Sequence, residues 1–469
     1  MHFQLQVVCT DEAGRQTTHP LTSLTRDAAQ LLPSTFGLSL AEGKSLLQQL
    51  QTVITQQQTT AYLATQRRCR DCGNARRSKG NHQILYRTVF GALRLVSPRW
   101  HHCPCQQRTG KTYSPLAVVL EERTAPELLY LQTKWASLVS YGQTVQLLQE
   151  VLPLSDTLND ESIRQQLHRL AERGEQALGE EYQVMEGCPS IWEELPIPNG
   201  PLMVGIDGGY VKARHKQGCF EVITGKSVLS FRRDEEASQP SAKCFGLVQG
   251  FDRKPRRRLF TLMESQGMQA NQQVIFLSDG ADSVRNLQLY LHPNAEYVLD
   301  WFHITMRLTV LSQTAKGLPQ NRIYLEDVEN DLESIKHYLW HGNRFEAHQH
   351  LNDLVEELEE AEADFPADTV VGKLLKGVRE FGTYIKNNQN FLVDYGERYR
   401  NGETISTAFV ESTVNWVISK RMVKKQSMQW TPRGAHLLLQ TRTQVLNDEL
   451  EATFRSWYPQ FRPIAEKTA

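Results

Sequence analysis

Apolar residues run almost unbroken through Leu202-Met203-Val204-Gly205-Ile206 and again through Val274-Ile275-Phe276-Leu277. Each run closes on an aspartate beside glycine, Asp207-Gly208-Gly209 in the first and Ser278-Asp279-Gly280 in the second. Strands apolar on both faces lie inside a sheet covered by helices, so the pattern predicts two buried strands of an α/β fold, each delivering a carboxylate to its carboxyl end. In open sheets of this kind, ligands and metals bind in the crevice past the strand ends. A further strand, Tyr297-Val298-Leu299, precedes Asp300-Trp301-Phe302-His303. Helical periodicity takes over elsewhere. Val410, Val414, Val417 and Ile418 recur at helical spacing with Glu411 bordering their stripe, and Ile323 to Trp340, Phe345 to Glu362 and Val370 to Asn387 each repeat at about 3.6 residues. Connections longer than about 12–15 residues without structure of their own are uncommon. The stretch between Asp279 and Glu411 therefore reads as carrying an α-helical insertion, 304–404, within the sheet domain.

The amino-terminal third has its own patterns. Leu46, Leu47, Leu50, Val53 and Ile54 form one stripe on a glutamine-rich helix between Leu40 and Gln58, a face that serves either core packing or contact with a second copy. Ile84 to Gly91 reads as a strand. Between Thr124 and Glu181 one helix opens at Pro126, a second covers Thr144 to Leu152, and a third follows the cap residues Asn159-Asp160 and turns Ile163, Leu167 and Leu170 inward. The turn spacing is that of a helix-turn-helix. Its last helix would bring Arg164, Gln165, His168 and Arg169 to solvent, within reach of base edges or phosphates, although a plain three-helix connector shares the pattern.

Composition narrows the function classes. The chain has 469 residues, 40% of them hydrophobic, enough for several domains, and a formal net charge of -1, so any affinity for nucleic acid must come from local patches. One such patch runs from Arg67 to Lys111, where Arg68, Arg70, Arg76, Arg77, Lys79, Arg87, Arg94, Arg99 and Arg108 face a lone Asp71. The acidic run Asp353 to Asp364 reads as a solvated helix face. No membrane-length apolar stretch and no signal-peptide pattern is visible, which predicts a cytoplasmic protein.

Two constellations carry chemistry. Cys69-Arg70-Asp71-Cys72 and Cys103-Pro104-Cys105 flank the predicted strand as the knuckles of a zinc-ribbon-like module, with His101 or His102 as alternatives to one cysteine. The single-residue spacing of the second pair is tighter than the usual knuckle. Asp207 and Asp279 suit Mg²⁺, which takes one or two carboxylates and leaves room for water and phosphate, and Glu411 is placed to reach the same crevice. Asp-Gly is also a common turn dipeptide. After Glu411, the residues Arg421, Lys424, Lys425 and Trp430 suit a nucleic-acid strand, with cations on phosphates and a ring stacked on a base; a buried anchoring tryptophan is the alternative.

In order and wording these motifs resemble the Mutator-like DDE transposases of bacterial insertion sequences, most closely the ISKra-type group. The resemblance covers nearly the whole chain. It rests on Gly205-Ile206-Asp207-Gly208-Gly209, Ser278-Asp279-Gly280-Ala281, Val410-Glu411-Ser412, the D-x-x-H stretch Asp300 to His303, and Arg421-Met422 with Met428-Gln429-Trp430. Gln426-Ser427-Met428 departs from it, since a glycine is expected before the methionine. The resemblance implies an RNase H-like catalytic core (200–303 and 405–450) holding the helical insertion. Ahead of the core it implies an amino-terminal strand and helix (1–65), the basic zinc-ribbon-like module (66–120) and the helix-turn-helix (121–185), and after it a carboxyl-terminal tail (451–469). It implies Asp207, Asp279 and Glu411 as ligands of two Mg²⁺ or Mn²⁺, Asp300 and His303 as supporting residues, and one structural Zn²⁺. Two metals about 3.5–4 Å apart can activate the attacking oxygen and stabilise the leaving one, which serves both strand cleavage and strand transfer. The implied partners are double-stranded DNA, as terminal inverted repeats and target, and a second copy of the chain, on the nucleoid. A domesticated DNA-binding protein would keep the amino-terminal modules and lose the acids. An RNase H-like nuclease without strand transfer would keep the acids but have little use for the modules.

Overall fold

The structure is a computed structural model that describes residues 1–29, 31–105, 111–154, 158–181, 194–198, 200–215, 218–229, 242–288, 291–292, 295–318, 325–364, 369–423 and 428–463. The chain divides into two units, Met1–Arg169 with Glu449–Ala469, and Leu170–Asp448.

In the first unit β1 (His2–Thr10) pairs antiparallel with β2 (Gln16–Thr25). A helix, Leu40–Gln66, follows and is started by a capping box in which Ser39 and Glu42 satisfy each other's backbone N–H groups. β3 (Ser78–Thr88), β4 (Gly91–His101) and β5 (Thr112–Tyr113) form a three-stranded antiparallel sheet. The expected boundary between this module and the helices after it is bridged by backbone bonds: Arg87 N–H donates to Arg123 O at 2.9 Å and Ala125 N–H to Arg87 O at 2.7 Å. Helices Pro126–Leu138, Tyr141–Val151 and Asp160–Ala177 come next, the third capped by Asn159 Oδ1, which accepts from Ser162 N–H at 2.8 Å. The expected tail is not a tail. Helix Leu450–Trp457 buries Phe454 with its ring centroid 5.5 Å from that of Tyr130, and Phe461 lies 5.3 Å from the same ring, so these residues complete the first unit's core.

The second unit is built on a five-stranded mixed sheet of β6 (Leu202–Lys212), β7 (Cys219–Leu229), β8 (Lys243–Val248), β9 (Val274–Ser278) and β10 (Ala295–Leu299), in the order β10-β9-β6-β7-β8. β7 runs antiparallel to both β6 and β8, whereas β9 and β10 run parallel to β6. Alternation along β6 sends Leu202, Val204 and Ile206 into a core with Leu259 and Met263 of helix Pro255–Ser265. Full burial of each such side chain contributes roughly 1.5–3 kcal/mol. Met203, with Ile275 and Leu277, faces the other way into a helical array of Trp301–Ala315, Leu325–Trp340, Arg344–Asp364 and Thr369–Asn387. The last three match the helices expected of the insertion. Among the described residues no helix is long and apolar enough to cross a membrane.

Helix Ala408–Val414 returns the chain to the sheet and continues as a π-helix, Asn415–Val423. It lies on the face of β6 that carries Gly205, Asp207 and Gly209. A Cβ at 205 would collide with Val410 and Phe409, and one at 209 would stand 3.0 Å from Ile418, so the two glycines admit the helix to close range. Arg442, 2% exposed, donates Nε to the carbonyls of Trp416 at 3.2 Å and Val417 at 3.0 Å, holding the widened turn.

Candidate active site and cysteine cluster

The parallel register brings the acids together. Gly205 pairs with Leu277 and Leu299 with Ser278, so continuing the ladder past the strand ends sets Asp207 beside Asp279 and Asp279 beside Asp300. Asp207 also lies midway between Gly205, packed by Val410, and Gly209, packed by Val414 and Ile418. It therefore faces the helical turn from 410 to 414, in which Glu411 is solvent-exposed.

Each aspartate is held locally. Asp207 Oδ1 accepts from Gly208 N–H at 2.7 Å, and Asp279 Oδ1 from Ala281 N–H at 2.9 Å. Burial pushes the Asp207 carboxyl above the ordinary carboxylate range, and the charges of Asp279 and Asp300 add to the rise against the opposing effects of Gly208 N–H and His303. Burial works against a charged His303 ring, but its hydrogen bond to Asp300 and the charges of Asp300, Asp207 and Asp279 outweigh that and raise its pKa.

Asp300 is 0% exposed and is the hub of the site. It caps helix Trp301–Ala315 by accepting from Phe302 N–H at 2.9 Å, and it takes His303 Nδ1–H at 2.7 Å. Across the sequence it accepts from Thr407 N–H at 3.0 Å and from the Thr407 hydroxyl. Thr407 in turn starts the Glu411 helix, since its carbonyl accepts from Glu411 N–H at 3.2 Å. The D-x-x-H stretch thus ties the carboxyl end of β10 to the start of the helix that bears Glu411.

Sequence reasoning missed Thr407, and it missed Tyr384 and Arg307. Tyr384 Oη donates to the Asp279 carbonyl at 3.0 Å, and burial raises its pKa, which keeps the phenol protonated as a donor. The guanidinium of Arg307, an exposed residue, stacks 4.2 Å from the Tyr384 ring. Among the described residues, potential ligand atoms gather within 4.8 Å of one another in two groups, four cysteines and Glu175 with Asp252 and His436; Asp207, Asp279 and Glu411 are more widely spread. The second group is crossed by Arg258, which bonds Asp252 and Glu175 at 2.8 and 2.9 Å and makes it an ion-pair network.

The cysteine group is Cys69, Cys72, Cys103 and Cys105, and it can hold a structural zinc. Cys69 and Cys105 sulfurs are 3.5 Å apart, Cys72 and Cys103 3.3 Å. N–H groups of Cys72 and Asp71 pull the Cys69 thiol down to about 7, while hydrogen bonds from Cys105 to the crowded sulfurs of Cys103, Cys72 and Cys69 push Cys105 up. Four thiols at this spacing share charge poorly without a cation. Neither histidine alternative belongs to the group, and His102 stacks on Tyr113 at 4.9 Å. Around the cluster Arg67, Arg68, Arg70, Arg77, Lys79, Arg94, Arg99 and Lys111 are exposed.

The remaining basic residues divide. Gln165 and Arg169 are exposed as expected, whereas Arg164 and His168 are half-buried and Arg164 is paired with Glu161 at 2.5 Å. Arg421 is corrected from a surface cation to an interior one: it is 3% exposed with its guanidinium 5.2 Å from the Trp430 ring. Trp430 anchors the chain, its N–H donating to Lys212 O at 2.9 Å and its Nε1–H to Met422 O at 3.3 Å. The exposed aromatic here is Trp416, with Lys420 Nζ 3.4 Å from its ring centroid. Lys424 and Lys425 lie outside the described residues.

A scan of protein-family models and a search of curated proteins found no match to this chain.

Proposed function

We propose that the chain is a DDE transposase of the Mutator-like kind, with an RNase H-like core that cuts the ends of an insertion sequence and joins them to target DNA. The observation that carries this reading is the register that sets Asp207, inside β6, beside Asp279, the residue after the end of the parallel neighbour β9, under the helix that bears Glu411. A central strand flanked by two antiparallel strands on one side and two parallel ones on the other supports the RNase H-like assignment. Asp207, Asp279 and Glu411 would hold two Mg²⁺ or Mn²⁺. Carboxylates spread along a crevice suit small hard ions that keep water and phosphate oxygens in their shell, and the desolvation and mutual repulsion at Asp207 mark a site short of positive charge. Bound there, such ions supply activation of the attacking oxygen and neutralisation of charge at phosphorus.

The chain's own residues position and orient. Water attacking the terminal phosphodiester breaks its P–O3′ bond and frees a 3′-hydroxyl; that hydroxyl then attacks a target phosphodiester, forming one P–O bond as another breaks. Asp300 fixes the acids and the His303 ring, and exposed Arg307 offers a cation for a phosphate beside Asp279. In the first unit the cysteine cluster, as a structural zinc site, would hold the basic hairpin rigid, and Arg169 with Gln165 would meet the end sequence.

The test is nicking and joining of duplexes carrying the flanking inverted repeats, in Mg²⁺, by wild type and by Asp207→Asn, Asp279→Asn and Glu411→Gln. Joining by the wild type alone, with duplex binding kept by all four proteins, is the expected result. Binding without cleavage by the wild type in Mg²⁺ and in Mn²⁺ would replace the proposal with a DNA-binding protein that does no chemistry.

A further inference from the structure

A cavity of about 210 Å³ lies in the first unit, lined from the turn between β3 and β4 and from helices Pro126–Leu138 and Asp160–Ala177. Leu128, Leu154 and Leu158 give it an apolar wall. The rest of the lining is polar, with two guanidiniums, Arg87 and Arg169, and no carboxylate. Neither guanidinium has a hydrogen-bond or ion-pair partner among the described residues. Gln166 supplies the third polar group. It is 9% exposed, and its Nε2 donates to the Thr124 hydroxyl at 3.4 Å, which leaves Oε1 as a buried acceptor without a donor. An acceptor left in that state is costly, and a donor brought by a ligand recovers the cost.

Size and chemistry together narrow the occupant. One water needs roughly 10–15 Å³ of such space, so one or two waters would not fill it. Pockets for drug-sized molecules begin at roughly 300 Å³, so the occupant is closer to a single ring. The leucines suit the face of a flat ring, and Gln166 Oε1 takes an N–H from its edge. Two unpaired guanidiniums call for an anion, and their planar forks match phosphate. Gln166 and Arg169 are three residues apart on one helix face, so acceptor and cation are presented side by side. A nucleobase carries free N–H groups on its Watson–Crick edge once it is unpaired, and enzymes that hold such a base read that edge by hydrogen bonds between apolar walls.

We propose that this cavity binds one nucleotide, with its base against the leucines, an N–H of that base donated to Gln166 Oε1, and its phosphate held by Arg87 and Arg169. The nucleotide is either free or unstacked from a DNA strand, and for the second source the inference rests on the DNA-binding reading above. The test uses the full chain with no added divalent ion, so that no cleavage is read. One arm titrates each of the four deoxynucleoside 5′-monophosphates to about 10 mM, tenfold above a millimolar Kd, by calorimetry. The other adds inverted-repeat duplexes with 2-aminopurine at successive positions, reading duplex affinity by anisotropy and unstacking by aminopurine fluorescence. Saturable binding of a monophosphate, brightening at one position, or both is the expected result, and the arm that responds identifies the source. Gln166→Leu removes a buried acceptor that lacks a donor, so it should fold with an unchanged or higher melting point, yet bind the monophosphate at least about tenfold more weakly and lose the brightening. Arg87→Gln should lose both in the same way. A wild type that takes no monophosphate and brightens nowhere would overturn the inference, and duplex binding in that same experiment would leave the DNA-binding reading standing without it. A wild type that takes a monophosphate and binds no duplex would do the reverse. A folded Gln166→Leu protein that matches the wild type in both arms would also overturn the inference.

Discussion

Thr407→Val isolates the link between the acids. The exchange keeps the side chain's shape at a position 3% exposed and removes one donor from Asp300, itself 0% exposed, leaving Phe302 N–H, Thr407 N–H and His303. Water has no route to replace the lost hydroxyl. A buried hydrogen bond to a charged acceptor contributes about 1.5–3 kcal/mol, so the variant should lose that much stability, seen as a melting point lower by roughly 3–10 °C for a unit of this size. Thr407→Ser keeps the donor and should restore most of the loss. The functional consequence follows from Thr407 O accepting from Glu411 N–H. A looser helix start displaces the third acid, so at a temperature where the variant is folded, nicking at saturating DNA should slow while DNA affinity stays unchanged. Calorimetry and single-turnover nicking measure the two effects. A Thr407→Val protein that melts within about 1 °C of wild type and nicks at the wild-type rate would refute the argument that Asp300 positions the Glu411 helix.

Four further outcomes are expected. Gly205→Ala drives a methyl into Val410 and Phe409 and should cost about 1–3 kcal/mol by urea unfolding, with loss of nicking. Asp207→Asn should raise the melting temperature of the ion-free protein at neutral pH: a carboxyl whose folded pKa is raised penalises the fold increasingly as pH rises above the unfolded value, and fully above the folded one. The gain should vanish below the unfolded value of 3.8, where Asp207 is protonated in both states. Cys69→Ser, at a position 2% exposed, should abolish bound zinc by elemental analysis and lower the first unit's melting point, as should a chelator on the wild type. Arg169→Ala should weaken binding to the inverted repeats and reduce the salt dependence of log K by about one charge, whereas Arg421→Met should destabilise the protein instead.

Where the sequence was legible, one periodicity dominated. β6 and β9 are apolar on both faces because helices cover both sides of the sheet, and Asp279 follows the end of β9 as expected, whereas Asp207, expected at a strand end, lies inside β6, which runs on to Lys212 in its pairing with β7. The insertion helices 325–340, 344–364 and 369–387 fall within about two residues of the expected ranges because each buries one continuous stripe. β7 and β8 escaped notice: Phe220-Glu221-Val222-Ile223-Thr224-Gly225-Lys226 mixes apolar, charged and glycine positions in a strand whose burial comes from its neighbours. Arg421 was misplaced because its charge was read ahead of its spacing. Arg421 stands four residues after Val417 and three after Ile418, the spacing of one helix face, so it is buried with them although its charge suggests the surface. The Asp300–Thr407 contact spans 107 residues and leaves no local pattern at all.

The most direct measurement of the central claim is anomalous scattering from crystals of the protein grown with Mn²⁺. Two peaks bounded by Asp207, Asp279 and Glu411, with none in the Asp279→Asn protein, are what the account predicts. Manganese elsewhere, or a Glu411 side chain that takes no part in holding it, would contradict it.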